Sequence, residues 1–168
     1  KKLGRIVVKV AQAQEIDYLL ARQPETSALY QGANGRAFEV VSPQGDTIFV
    51  HAEENLESLE PLEKAPLVDV PEDFKGLTSF DVDFLEVNVA DFAESEKFYS
   101  NLPALAHLIH LKEAQGEDLQ VENKVAWDLS MVKVELAPFD VGVLKESLGE
   151  AVDFVHRKGT FLIAKDPS

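Results

Sequence analysis

Residues 4–10, GRIVVKV, alternate in strand fashion and are rich in β-branched side chains, the pattern of a half-buried strand. In the following EIDYLLARQ, Ile16, Leu19 and Leu20 recur at helical spacing, and Pro24 ends the run. SALYQGANG predicts a short strand and a Gly-Asn-Gly-type turn. GRAFEVVSPQGDTIFVHAEEN, residues 35–55, predicts strand, Pro-Gly turn and strand, with an acidic exit. The order is β-α-β-β-β. Further on, SFDVDFLEVNVADFAESEKFYSNLP predicts a strand, Asp91 as N-cap, and a helix ending near Leu102-Pro103. HLIHLKEAQGEDLQVEN predicts further short strands. Residues 53–79 carry acidic side chains and Pro61, Pro66 and Pro71, and read as a surface linker.

The chain contains a repeat. A shift of 124 residues places Val8, Lys9 and Val10 on Val132, Lys133 and Val134, Leu20 on Leu144, Gly35 on Gly159 and Pro43 on Pro167, without gaps. One structural unit has been used twice, so residues 4–10 and 130–136 are expected to be equivalent strands. The second copy reaches Ser168 where the first still has QGDTIFVHA to run, so its last strand is expected to be missing. Lys1-Lys2-Leu3 has neither an initiator Met nor an apolar leader, and the chain reads as a piece of a longer one.

FLEVNVADFAESEKFYSNL resembles the first strand and helix of vicinal-oxygen-chelate (glyoxalase-like) modules, in which a strand ends in V-x-D and a helix carries S-x-x-F-Y. Val89, Asp91, Ser95, Phe98 and Tyr99 match those positions. Through LYQGANGRAFEVVSPQGDTIFVHAEE and EAQGEDLQVENKVAWDLSMVKVEL, nearly the whole chain is similar to the streptococcal complement C3-degrading proteinase (CppA) family. The resemblance implies an α+β fold of βαβββ units in two tandem modules. Residues 1–52 would be the second half of the first module, 53–79 the linker, and 80–168 the second module without its last strand. It also implies host complement C3 as a partner and a bacterial protein, either cytoplasmic or cell-associated and secreted. A lone half-module leaves a sheet face and an edge uncovered. Residues 1–52 are therefore expected to close against a second chain, as a homodimer, or against residues 80–168.

Charge and composition narrow the functions. Sixteen basic against thirty acidic residues give a net charge of −14, which argues against nucleic acid and anionic membranes as partners. With no cysteine there is no disulfide, thiolate nucleophile or Cys-based zinc site. No apolar run approaches the ~18 residues of a membrane span.

The family resemblance also locates the chelating positions, at the start of each half's first strand and in its last strand. Here they hold Arg5, Phe84, Leu129 and Phe49, none a usual ligand for a divalent cation, so no metal or other cofactor is expected. His107 and His110 would share a face only on a helix, and Glu113, Glu117, Asp118 and Glu122 read as a solvated loop. There is no H-E-x-x-H, G-x-S-x-G or aspartic-dyad motif, while a Ser-His-Asp arrangement, recognised by geometry, stays open. Alternation from the chelating positions puts Arg5, Val7 and Lys9 with Thr47, Phe49 and His51 on the cleft side of the first module. Phe84, Glu86 and Asn88 with Leu129, Met131 and Lys133 take that side in the second, extended by Trp127, the chain's single tryptophan. Such a face fits a pocket for a small molecule or peptide, or simply a filled core, and Glu86 and Lys133 are expected to pair if buried. The leading reading is a metal-free binding module. The alternatives are a glyoxalase- or dioxygenase-type enzyme with its metal site outside this chain, and a structural interaction protein using the acidic linker.

Overall fold

The computed structural model describes residues 1–22, 24–65, 67–116, 119 and 129–167. It divides into two compact units, Gly4–Leu85 and Glu86–Ser168 with Lys1–Leu3.

The first unit follows the predicted order. Strand β1 (Leu3–Val10) leads to helix α1 (Ala13–Ala21), then to β2 (Ala28–Gln31), β3 (Arg36–Val41) and β4 (Thr47–His51). The β-branched run of β1 lies parallel to β4, with Arg5 opposite Thr47, Val7 opposite Phe49 and Lys9 opposite His51. β2 pairs antiparallel with β3, and β3 with β4, so the sheet is mixed. One face of it packs on α1 through Val10, Ile16, Leu20, Phe38 and Val50. The other face holds a second cluster of Val7, Ala37, Phe49 and Phe84, backed by Tyr30, Leu56 and Leu59.

Residues 53–79 differ from the expected surface linker. They hold a short strand, β5 (Glu60–Pro61), on the outer edge of β2, and Leu62 N–H donates to Leu29 O at 2.8 Å. Leu56 and Leu59 cover the Phe49 cluster, while Ala65 and Leu77 pack on the α1 side. Phe74 meets Tyr18 edge-to-face at 5.1 Å, with the Arg22 guanidinium over its ring and bonded to its carbonyl oxygen. The Glu15 carboxylate accepts from Thr78 N–H at 2.9 Å and from its hydroxyl at 2.6 Å. The physical reason is the spacing of apolar residues through this acidic stretch, each finding a place to be buried. The same contacts answer the open-face expectation for residues 1–52. Val7 and Phe49 are buried by Leu56, Leu59 and Phe84 of the same chain.

In the second unit, strand β6 (Phe80–Val89), whose first residues belong to the first unit, runs into helix α2 (Phe92–Ser100) and then β7 (Ile109–Glu113). Asp91 caps α2 as predicted, accepting from Glu94 N–H at 2.9 Å. Replacing Asp91 with alanine should cost about 1 kcal/mol of stability in urea unfolding, by loss of that cap. Buried Val87, Val89, Ser95, Leu102, Ile109 and Leu148 lie in this unit. Lys2 Nζ and the Tyr99 hydroxyl both bind the Asp166 carboxylate, at 2.8 and 2.9 Å, and burial pushes the Tyr99 phenol well above its ordinary range. Helix α3 (Val141–Leu148) is capped by Asp140, and strands β8 (Val152–Val155) and β9 (Leu162–Ala164) form a separate antiparallel hairpin.

The repeat is kept unevenly. The offset carries β2 onto β8 residue for residue and places β9 within the image of β3, while α3 begins four residues after the start of the image of Ala13–Ala21 and overlaps its second half. Residues 129–136 carry no strand, contrary to the expected equivalence of 4–10 and 130–136. A strand needs a covered face. Adjacent Met131 and Val132, which alternation would send to opposite sides, are both exposed.

Candidate functional site

The predicted cleft residues of the first unit do share one face, but that face is closed. Val7 and Phe49 are 0% and 3% exposed, and Phe84 packs on both. Arg5 lies over the Phe49 ring at 5.2 Å and approaches Glu39 at 3.9 Å. Lys9 pairs with Glu54 at 2.8 Å, and its ammonium holds the Glu54 carboxylate below the usual range. On this face the unit has an aromatic core capped by a guanidinium.

His51, on the same face, is fully buried. Glu53 N–H donates to its Nδ1 at 3.1 Å, which assigns the proton of the neutral ring to Nε2, 3.1 Å from Asp83 Oδ2. Both nitrogens are thus engaged, and neither can serve as base to a serine hydroxyl as a catalytic triad requires. Burial pushes the His51 pKa below its ordinary value, with Asp83 opposing only in part. The unfolded chain then takes up more protons below the usual histidine value of about 6.5, so stability should fall as pH drops through that value and level off below the folded one. Urea unfolding at about pH 7.5 and about pH 5.5 should show a larger loss for the native chain than for His51→Gln; equal losses would remove His51 as the cause.

In the second unit the predicted residues do not converge. Glu86 meets Lys112 at 3.4 Å and Lys133 meets Glu135 at 4.0 Å, so the expected Glu86–Lys133 pair does not form. Glu86 is not deeply buried and Lys133 is exposed, and solvent removes the need for that pairing. Asn88 donates to Lys1 O at 2.9 Å, Leu129 is half-buried and Met131 is 70% exposed. Trp127, Glu117, Asp118 and Glu122 lie outside the described residues. His107 is in a turn and His110 on β7, not on one helix face. Among the described residues, no three His, Asp or Glu side chains converge as a metal site, and no helix is long and apolar enough to cross a membrane.

Sequence reasoning missed Asp83, the partner of His51, and Glu53, whose carboxylate is buried against the Gly32–Gly35 turn and accepts from Asn34 N–H at 2.7 Å. The acidic exit of the hairpin signals Glu53, whereas Asp83, in β6, carries no local signal.

Residues 1–62 match the family model of the CppA N-terminal region, and residues 77–168 that of the CppA C-terminal region. The chain belongs to the CppA family. The crystal structure of the cppA protein from Streptococcus pneumoniae TIGR4 is similar to it throughout. The two are 33% identical, with a TM-score of 0.82, over 99% of this chain and 68% of that one. No curated protein sequence matches. The two CppA regions do not coincide with the two compact units, since the first unit continues to Leu85.

Proposed function

We propose that this CppA-family chain is a metal-free binding module of glyoxalase-like type rather than a hydrolase or a metal-dependent enzyme. One observation carries the reading: the chelating positions Arg5, Phe49 and Phe84 are built into a packed cluster with Val7 and Ala37. A divalent ion there would need the ring packing dismantled and would find no carboxylate or imidazole in its place. His51, the imidazole nearest that cluster, has both nitrogens engaged by Glu53 and Asp83. The net charge of −14 and the half-buried Arg5 and Lys9, each already paired with a carboxylate, fit recognition of protein or peptide better than of nucleic acid.

The test is direct. Purified chain should carry no stoichiometric zinc, iron or manganese by elemental analysis, and should leave complement C3 intact at a C3 excess over long incubation. Stoichiometric metal retained on dialysis, or C3 cleavage that co-purifies with the protein and responds to one inhibitor class, would overturn the reading.

A further inference from the structure

His51 is the single histidine of the first compact unit, and two neighbours place the proton on its ring. Asp83 accepts from Nε2, which leaves the Nδ1 lone pair to accept from Glu53 N–H, each at 3.1 Å. A second proton can therefore enter this ring only at Nδ1. There it would face the Glu53 N–H, donor against donor, and that bond cannot survive.

The bond is one end of a strap. Residues 53–59 run from the end of β4 to the start of β5 and lay Leu56 and Leu59 on the cluster of Val7, Ala37, Phe49 and Phe84. At the far end, Glu60 and Pro61 pair with Gln31 and Tyr30 of β2. At the near end, the Glu53 carboxylate accepts from Asn34 N–H at 2.7 Å, and Glu54 pairs with Lys9 at 2.8 Å. Between those ends the hydrogen bonds of residues 55–59 stay within the strap. Glu57 N–H donates to the Asn55 side chain, Ser58 Oγ to Asn55 O, and Leu59 N–H to Leu56 O. Two half-buried leucines hold its middle to the sheet. Such a segment can open without the strands beneath it.

The charges around the ring decide which state a proton favours. Asp83 from β6 and Glu54 from the strap attract an imidazolium, while Lys9, beside His51 on β1, repels it. Glu53 turns its carboxylate to Asn34, and Glu39 on β3 stands beside Phe49, close to Arg5. Asp83 lies outside the strap and serves Nε2 in either state, so the difference falls at Nδ1. With the strap shut, the buried cation has a donor against it; with the strap lifted, it has water. Burial lowers the His51 pKa in the closed chain, which has the same sign.

We infer that residues 53–59 form a proton-released strap: a second proton on His51 frees Glu53, lifts Leu56 and Leu59, and uncovers the Phe49 face while the sheet stays folded. This goes beyond the binding-module reading and does not depend on it. One proton taken up on lifting, at about the ordinary histidine value of 6.5, raises the opening constant by up to about tenfold between about pH 7.5 and about pH 5.5.

Amide hydrogen exchange of the full chain, followed residue by residue by NMR, reads that opening directly. After correction for intrinsic rates, protection of the Glu53 and Asn34 amides should fall by about tenfold from the higher pH to the lower. It should also lie below the protection of the β3 and β4 amides at both pH values and be indifferent to low urea, as local opening is. His51→Asn keeps an acceptor near the place of Nδ1 and cannot titrate, so its Glu53 protection should be the same at both pH values. Three results would each overturn the inference: Glu53 protection that does not change with pH in the native chain, strap amides that exchange only together with those of β3 and β4, or a pH step that persists in His51→Asn. The first two use the native chain and hold whether or not the variant folds.

Discussion

Replacing Phe49 with alanine should destabilise the chain by about 3–5 kcal/mol, the range for emptying a buried aromatic site. The ring is held on all sides by Val7, Ala37, Phe84 and Tyr30, with the Arg5 guanidinium over it, so the surroundings cannot collapse into the space without moving β1 or β4. Urea unfolding with an unchanged denaturant slope is the measurement, and a loss below about 1 kcal/mol would show that the cluster is not a packed core. Phe49→Glu makes the sharper contrast. It puts a carboxylate, a usual metal-ligand type, at this position, yet Arg5 and Phe84 offer no further ligand. The variant should lose more stability than Phe49→Ala, through an ill-solvated carboxylate, and should gain none on addition of zinc or manganese.

Gly32→Ala should cost about 1–3 kcal/mol, through a carboxylate rather than through backbone strain. A Cβ at position 32 would lie 2.4 Å from Glu53 Oε1, 2.5 Å from its Cδ and 2.8 Å from Leu59 Cδ2. The carboxylate is the end of a flexible side chain, so it can move aside. Moving it breaks the bond to Asn34 N–H and leaves a buried acid without that donor. The check is a double-mutant cycle with Glu53→Ala. If the clash with Glu53 is the mechanism, the Gly32→Ala penalty should shrink sharply once Glu53 is gone. An unchanged penalty would place the cost at Leu59 instead.

The first unit was largely legible in the sequence because its signals are local. β-Branched alternation marked β1, helical spacing marked Ile16 and Leu20, and turn chemistry at Ser42–Asp46 marked the β3–β4 hairpin. Alternation also grouped Arg5, Val7 and Lys9 with Thr47, Phe49 and His51, and the parallel register sets them side by side as three pairs. Periodicity carried no information on what covers that face. The cover comes from Leu56, Leu59 and Phe84, two of them in a stretch whose charge and prolines read as linker. The His51–Asp83 contact spans 32 residues, and the condition for a Glu86–Lys133 pair, burial of both, is not met because Lys133 is exposed. The second copy of the repeat was over-read at residues 129–136. An apolar alternation there meets no covering face among the described residues, and propensity without a partner does not make a strand.

The way residues 53–79 fold back also limits how this chain can be divided or exchanged between relatives. A segment ended at residue 62, where the match to the CppA N-terminal region ends, would strip Glu15 of Thr78, Tyr18 of Phe74, and the α1 side of the core of Ala65 and Leu77. The compact unit closes only at Leu85, and that position lies inside β6. Any hybrid that joins this first region to another protein's second region must therefore either carry the tail through Leu85 and splice within a strand, or replace every contact the tail makes. Substitutions on the two sides of that stretch are coupled through it, so Glu15 and Thr78, or Tyr18 and Phe74, should be inherited as pairs.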